Sequence, residues 1–552
     1  MIYSLLFLYL RLKKTNMFKK ILLLLIIVSQ TTNVSAQKAT ASWSKQFLFE
    51  DKKDGRPTKA IGSDNSTTYI LFKDNRRKVK NHLSISSFNK KDMKLIKKVN
   101  LFKLFPEVKS YDFQLAKFGN GKVYVSWIND AKTVREVFVA VLNGDFTIAS
   151  KLKKLKSAKL NTSNTNVKVA SFEILINPDV KEAPVCIILE KNAGLNDSHQ
   201  SIATQFNDKL EELNSIPLKI DLNFSSDKSL LTGQNKIYKN AFEYIYTKHG
   251  VYGYLDTYEI SFSGLGLPFI HYDFNTKRSS SKIITTGRAS TGNLVIAEKG
   301  DGIVIYLLNT VSHSSTSALM SILLENGLSV KLQENNPFTS SLLKTAYPDY
   351  EYLTSKKGMR KLGSSKPLIE PERLHPYTSI ENIITTEQGD YISLSYHYYK
   401  NNGTGTIKKG LLIAKISPNG KLEWLKNFKR FYENKMGREG SSAGDSRLLY
   451  QNDQLICAYF TDIKTDGEDL DKSLVNNSFN ILFINPSNGK LIKSNSIIVN
   501  DDTRKGTFVA KGIGLKKDKN NIYFFGQPKA KDSAGGKVYG NKKGRIAIVK
   551  IQ

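Results

Sequence analysis

Four sets of residues have types and spacings that chemistry uses. Gly440-Ser441-Ser442-Ala443-Gly444 matches the Gly-x-Ser-x-Gly pattern, in which a strand enters a sharp turn, a helix leaves it, and a nucleophilic serine stands above a parallel sheet. Its flanks here read as a basic polar loop from Arg430 to Arg438 and a strand from Ser446 to Tyr450, and the 108 residues after Gly444 all read as β. An α/β-hydrolase has no room to form, so no catalytic residue is assigned. The acidic stretch Asp462-Ile463-Lys464-Thr465-Asp466-Gly467-Glu468-Asp469-Leu470-Asp471 looks superficially like a calcium loop. An EF-hand needs an oxygen ligand at its third position and a bidentate carboxylate at its twelfth, where this chain has Lys464 and Ser473. A solvated hairpin loop is the expectation, and a nonclassical metal site stays open.

The seven histidines (His82, His199, His249, His271, His313, His375 and His397) show no pair at metal-ligand spacing, which leaves a hydrolytic or structural zinc site without support. His397 sits among Tyr396, Tyr398 and Tyr399 and reads as a packing residue. The two cysteines, Cys186 and Cys457, lie in apolar runs some 270 residues apart and read as buried core residues. No cofactor-binding residue is assigned and no cofactor is expected.

Positioning anything requires a scaffold, and the composition supplies one. Of 552 residues 40% are hydrophobic and 24% charged, enough to bury a large core and too apolar for a disordered chain. Residues 1–36 contain no acidic residue. From Met17, an alternative start, they run Lys19-Lys20, the apolar Ile21–Val28, then Val34-Ser35-Ala36. This is the order of a secretory signal peptide. Eight apolar residues fall short of the roughly 20 that span a bilayer, so cleavage is expected between Ala36 and Gln37. No other stretch approaches membrane-spanning length. The expectation is a secreted or periplasmic chain of residues 37–552.

The exported part repeats itself. Lys408–Ile416 is followed by Ser417-Pro418-Asn419-Gly420-Lys421 and a second strand, Leu422–Phe428, which makes a hairpin with an Asn-Gly turn. The turn recurs at Asn485-Pro486-Ser487-Asn488-Gly489-Lys490, and the first strand recurs at Lys542–Ile551, where its own second strand is missing. Trp43-Ser44-Lys45-Gln46-Phe47 matches Trp424-Leu425-Lys426-Asn427-Phe428 and is read as that missing strand. A closed ring of sheets has this property, since its last sheet borrows one strand from the chain's start and leaves no free edge.

The expected fold is therefore all-β, a β-propeller of about eight four-stranded blades in one domain, with seven as the alternative. Third strands are placed near Leu83, Val137, Ser201, Thr257, Ala318, Leu411, Asn480 and Ile546, at spacings of 54 to 69 residues apart from one gap of 93. That gap holds an inter-blade insertion at 335–376, rich in proline, with a short helix expected over Ser340–Ala346.

Ile416–Trp424 resembles the tryptophan-docking repeat of quinone-dependent dehydrogenases, which use eight-bladed propellers. The resemblance implies the fold over most of 37–552 and not their cofactor site. Those enzymes repeat the docking tryptophan around the ring, whereas this chain has only Trp43, Trp127 and Trp424 and no recognisable vicinal cysteine pair. In this respect it is similar to exported bacterial β-propeller proteins.

The formal charge of +32 comes from 82 basic and 50 acidic residues, and loss of Arg11, Lys13, Lys14, Lys19 and Lys20 with the leader lowers it to +27. Only 14 of the basic residues are arginine, the side chain whose planar fork suits phosphate and nucleic-acid recognition. The clusters Arg76-Arg77-Lys78, Lys151–Lys156 and Lys516-Lys517 read as solvated blade edges, with at most a weak preference for acidic partners. The expectation is a monomeric binding or scaffolding module that meets a protein or glycan at one face of the ring. The alternative is a propeller enzyme acting on carbohydrate through carboxylates gathered from several blades.

Overall fold

The computed structural model describes residues 39–551 except 45–46, 49–55, 74–81, 132, 160–169, 192–198, 221–241, 256–266, 285–288, 312–314, 326, 348–349, 356–368, 371, 375–377, 400–405, 435–445, 464–475, 499–507, 510–514, 518–521, 529, 532–536 and 539–542. Short turns cut the chain into hairpins. Asn120 and Gly121, with φ of 51° and 73°, join Asp112–Gly119 to Lys122–Asp130. Asn452 and Asp453, at 50° and 53°, join Arg447–Gln451 to Gln454–Ile463. Two consecutive left-handed residues match the twist of the flanking strands, and Asn, Asp and Gly tolerate that backbone best.

Seven antiparallel four-stranded blades follow one another, each made of consecutive strands, and the sheet of one of them, residues 289–337, also takes the short strands Ile369–Glu370 and Arg373–Leu374. Blade 1 is Arg56–Ser63, Thr67–Lys73, Leu83–Asn89 and Leu95–Asn100; blade 2 is Asp112–Gly119, Lys122–Asp130, Val134–Asn143 and Ile148–Lys159. Blade 3 is Ala170–Ile176, Val185–Lys191, His199–Phe206 and Glu212–Ile220; blade 4 is Phe242–Thr247, Gly250–Leu255, Leu267–Asp273 and Arg278–Ile284. Blade 5 is Ala289–Lys299, Gly302–Val311, Ser315–Glu325 and Ser329–Pro337, and blade 6 is Thr378–Thr386, Gly389–Tyr399, Thr406–Ile416 and Leu422–Asn434. Blade 7 is Arg447–Gln451, Gln454–Ile463, Asn476–Ile484 and Leu491–Ile498. The first strand of each blade is innermost and the fourth is outermost.

One further sheet joins the two ends of the chain. Its strands Leu515–Lys517, Ile522–Pro528 and Lys543–Ile551 come from the C-terminal end, and Ala39–Trp43 pairs along the last of them from Ala39 opposite Ile551 to Trp43 opposite Ala547. Phe47 and Leu48 then face Gly544 and Lys543. This closing sheet packs Tyr523 and Ile548 against Ala60, Ile70, Phe72, Phe88 and Met93 of blade 1. The fold is a closed β-propeller of seven regular blades. The unit that sequence spacing counted as an eighth is the closing sheet, whose inner edge along Ile522–Pro528 is described in two short pieces, Phe508–Val509 and Leu515–Lys517.

Every core cluster lies between two neighbouring sheets. Trp127, Phe118 and Val125 of blade 2 pack with Ile85 and Leu71 of blade 1, and Cys186 and Ile188 of blade 3 pack with Ile270 and Tyr272 of blade 4. Because each blade is covered on both faces, its two middle strands are buried on both sides instead of alternating, as in Leu83–Asn89, where six of seven residues are buried, Ser84, Ser86 and Ser87 included. The outermost strands, with one edge in water, do alternate: Ile148–Lys159 is largely exposed.

Third strands occur where spacing placed them, with one correction. In blade 4 the third strand is Leu267–Asp273, ten residues beyond Thr257, which lies outside the described residues. Between blades 5 and 6, helices span Ser340–Ala346 and Tyr350–Leu353, the first capped by the Thr339 hydroxyl, which accepts from Leu342 N at 3.3 Å. Phe338, Leu343, Ala346, Tyr347 and Tyr350 of this segment join Leu394, Leu412 and Leu425 in one apolar cluster, so the segment wedges the two blades together.

Candidate functional site

Among the described residues, no two of the sequence motifs are brought together. Residues 440–444 lie outside the described residues, as do 464–471 of the acidic stretch; Asp462 and Ile463 end the second strand of blade 7. Among the described residues no group of three or more His, Cys, Asp or Glu is arranged to hold a metal ion. His313 and His375 lie outside the described residues, His199 opens the third strand of blade 3 and His397 sits in the second strand of blade 6. His271 is buried, lies 4.3 Å from the Tyr252 ring and meets the His249 carbonyl at 3.1 Å through Nε2. Burial lowers its pKa, which marks a neutral packing histidine.

Cys186 and Cys457 are free and fully buried, and burial raises both thiols well above their usual range. A protonated, inaccessible thiol is unreactive. Neither cysteine should therefore label with a maleimide in the native chain, and both should label after unfolding. Rapid native labelling of either would contradict this packing.

Two side-chain clusters escaped the sequence reading. The first joins the inner strands of blades 3 and 4. Glu190, 2% exposed, accepts hydrogen bonds from the Tyr244 hydroxyl at 2.5 Å and from the Ser171 hydroxyl at 3.0 Å. Beside it are Glu173 on the innermost strand of blade 3 and Glu243 on that of blade 4, where Glu243 accepts from the Tyr254 hydroxyl. Glu173 keeps contact with solvent although protein surrounds much of it, as suits an inner strand. Its pKa is raised, first by burial and then by repulsion from Glu190 and Glu243. Burial, then the carboxylates of Glu190 and Glu173, hold the Tyr244 phenol far above its usual range. Three carboxylates thus meet in a chain with a large excess of lysine. A sequence signal existed: each acid interrupts an apolar or aromatic run, as in Phe172-Glu173-Ile174, Leu189-Glu190 and Phe242-Glu243-Tyr244. Their separation across three strands hid the meeting.

The second cluster crosses blade 6. Arg430, expected in a polar loop, lies in the outermost strand with its side chain fully buried, and its Nη1 donates to both carboxylate oxygens of Glu381 at 3.0 and 2.9 Å. Pairing slips by one residue at Glu381, between Ile380 and Asn382, and again around Ser395 and Gly410 and around Lys429–Arg430. These bulges lie side by side across the sheet, and a bulge re-aims a side chain that regular pleating would send elsewhere. The Ser395 hydroxyl at 2.6 Å and the Ser446 backbone N–H at 2.7 Å also donate to Glu381. Ser446 belongs to the approach to blade 7, so the pair ties two blades together. A third buried acid, Asp390, accepts from Lys299 Nζ at 2.8 Å and from the Tyr306 hydroxyl, tying blade 6 to blade 5.

These last two acids are saturated by partners and serve as inter-blade ties. Glu173 and Glu243 are the acids with solvent contact. Trp424 is likewise structural: its Nε1 donates to the Pro486 carbonyl at 3.1 Å and its ring packs on Gly489 of the next blade. Lys151–Lys156 lies along the outer strand of blade 2, where Lys154 pairs with Glu136 and Lys156 with Glu212. Exposed pairs of this kind contribute little. Arg76-Arg77-Lys78 lies outside the described residues, and Lys516-Lys517 is in the inner strand of the closing sheet.

No protein-family model matches the sequence, and no curated protein matches it. Solved structures similar to this chain include the WD40 domain of SCAP from fission yeast, at 9% identity, covering 92% of this chain and 97% of that one with a TM-score of 0.37. The Nup133 β-propeller domain of Vanderwaltozyma polyspora is similar at 10% identity over 79% of this chain and 99% of its own, with a TM-score of 0.36. A DUF4221-family member from Bacteroides vulgatus shares 9% identity over 93% and 99%, with a TM-score of 0.31. It is the chain's own closed ring of antiparallel blades that makes it a β-propeller.

Proposed function

We propose that this propeller is an exported binding or scaffolding module whose ligand, a glycan or a protein segment, meets the inner strands of blades 3 and 4. A propeller of this kind generally presents a rigid ring face and serves recognition. The observation that carries the proposal is Glu173 and Glu243, both with solvent contact, braced behind by Glu190 and Tyr244. Carboxylates beside tyrosines suit sugar hydroxyls and protonated amines alike. Envelope extract and a glycan panel passed over the immobilised chain of residues 37–552 test it. Glu173→Gln with Glu243→Gln should weaken retention by about tenfold or more, the worth of hydrogen bonds to charged groups. Retention of nothing by the parent chain, or equal retention by the variant, would sink the proposal.

The same variant yields a pH signature. A carboxylate whose folded pKa is raised stabilises the fold relative to its ionised state only below its unfolded pKa, and that contribution is lost as pH rises through the folded value. Glu173→Gln should therefore raise the melting temperature at pH 7 and leave it nearly unchanged at about pH 4, near the ordinary glutamate pKa.

A second reading rests on that same raised pKa. A carboxyl with a raised pKa beside other carboxylates is the pairing from which a glycosidase draws its general acid and that acid's partner. Turnover of aryl glycosides by the parent chain, abolished in Glu173→Gln, would favour it over simple binding.

A further inference from the structure

Among the described residues the exposed large aliphatic side chains are Leu95, Ile96, Ile148, Leu213, Ile283, Val330, Leu491 and Ile492. All but Ile283 occupy the first or second residue of an outermost strand, in blades 1, 2, 3, 5 and 7. In every blade the third strand runs toward the same side of the ring. The turns into the outermost strands, and the aliphatic residues just after them, therefore share one rim. Single exposed aliphatics are ordinary; recurrence at one structural position around a circle is not.

Charge at this rim is uneven. Lys91, Lys94 and Lys97 flank Leu95-Ile96, Lys490 and Lys493 flank Leu491-Ile492, and Lys151 follows Ile148. Blade 3 differs, since Leu213 follows Glu211 and Glu212. Asp92 pairs with Lys94 at 3.3 Å and Asp145 precedes Ile148 in its turn, so the net positive charge of the rim gathers at blades 7 and 1. Aliphatic residues beside lysines, set on an arc that a flat surface touches at several points together, match the chemistry of an interfacial membrane contact.

We propose that this rim docks, through blades 7 and 1, on the surface of an anionic phospholipid bilayer. Aliphatic tips enter the headgroup boundary and the lysines pair with lipid phosphates. The inner-strand carboxylates stay free of the contact, so this proposal stands apart from ligand binding there.

Co-sedimentation of the chain of residues 37–552 with vesicles of phosphatidylglycerol and phosphatidylcholine in equal parts tests it, with phosphatidylcholine vesicles as the neutral comparison. The expected result is binding to the anionic vesicles only, weakened by salt. Leu95→Gln, Ile96→Gln, Leu491→Gln and Ile492→Gln together should weaken it by about tenfold or more, because each buried methylene adds to interfacial affinity. These side chains are exposed, so the melting temperature should hold, and Ile283→Gln at the far end of its strand should bind as the parent does. Absence of binding to anionic vesicles overturns the proposal, as does undiminished binding by the fourfold variant. A dimer in solution that the fourfold variant dissociates would assign the rim to a second copy and overturn it as well.

Discussion

A chain from which residues 37–50 are deleted is expected to lose its cooperative melting transition. Lys543–Ile551 is hydrogen-bonded on one edge by Ile522–Pro528 and on the other by Ala39–Trp43 and Phe47–Leu48. The deletion leaves the second edge open at the seam of the ring. Five residues in register at roughly 1 kcal/mol for each net backbone hydrogen bond already approach the 5–15 kcal/mol that holds a typical domain together. The damage spreads, because Ile548 and Tyr523 of this sheet pack against blade 1. Thermal unfolding followed by circular dichroism checks the outcome, with the chain of residues 37–552 as the reference. An unchanged transition would refute closure. Thr40→Cys with Lys550→Cys offers the opposite test, since these residues face each other across the seam. Their oxidised pair should raise the melting temperature, because a crosslink between near-terminal residues constrains almost the whole unfolded chain.

The closing strand was legible in the sequence, and its register was not. The likeness of Trp43–Phe47 to Trp424–Phe428 identifies the segment that completes the last sheet. Yet Trp424 faces Lys415, next to last in its partner strand, whereas Trp43 faces Ala547, four residues before the end of its own partner. In blade 6 the turn Ser417–Lys421 fixes the pairing, because Ser417 N donates to the Lys421 carbonyl at 2.8 Å and only one register can follow. No turn joins the two ends of the chain, so side-chain packing alone selects the register there. The blade rhythm was legible for a related reason: turns and double-sided apolar strands are local properties. Glu173, Glu190 and Glu243 meet only because the ring sets blade 3 beside blade 4, a relation that nothing in the neighbourhood of any one of them encodes. Arg430 was misread for the converse reason. Its neighbours Lys429 and Asn434 suggest a polar loop, and only the aligned bulges turn the guanidinium inward.

That buried guanidinium supports the second large effect. Arg430→Met should destabilise the fold by about 3–5 kcal/mol, the usual result of removing one partner from a buried ion pair. Glu381 would keep its hydrogen bonds from Ser395 and Ser446 while losing the cation, held through Nη1 on both its oxygens, that offsets its charge. The loss should depend on pH in a definite direction. A buried carboxylate without its cation ionises only at higher pH, so its folded pKa in the variant lies above the unfolded one. Stability is then fully present below the unfolded value and falls as pH rises through the folded value. Arg430→Met should therefore recover part of its stability near pH 4.5, roughly the ordinary glutamate pKa, whereas a purely steric defect would not respond. Arg430→Met with Glu381→Leu removes both charges, and it should melt above either single variant because no ion remains stranded between blades 6 and 7. Denaturant unfolding of the three variants at two pH values separates the cases. If the double variant is no more stable than Arg430→Met, the geometry of the aligned bulges matters more than the charge they enclose.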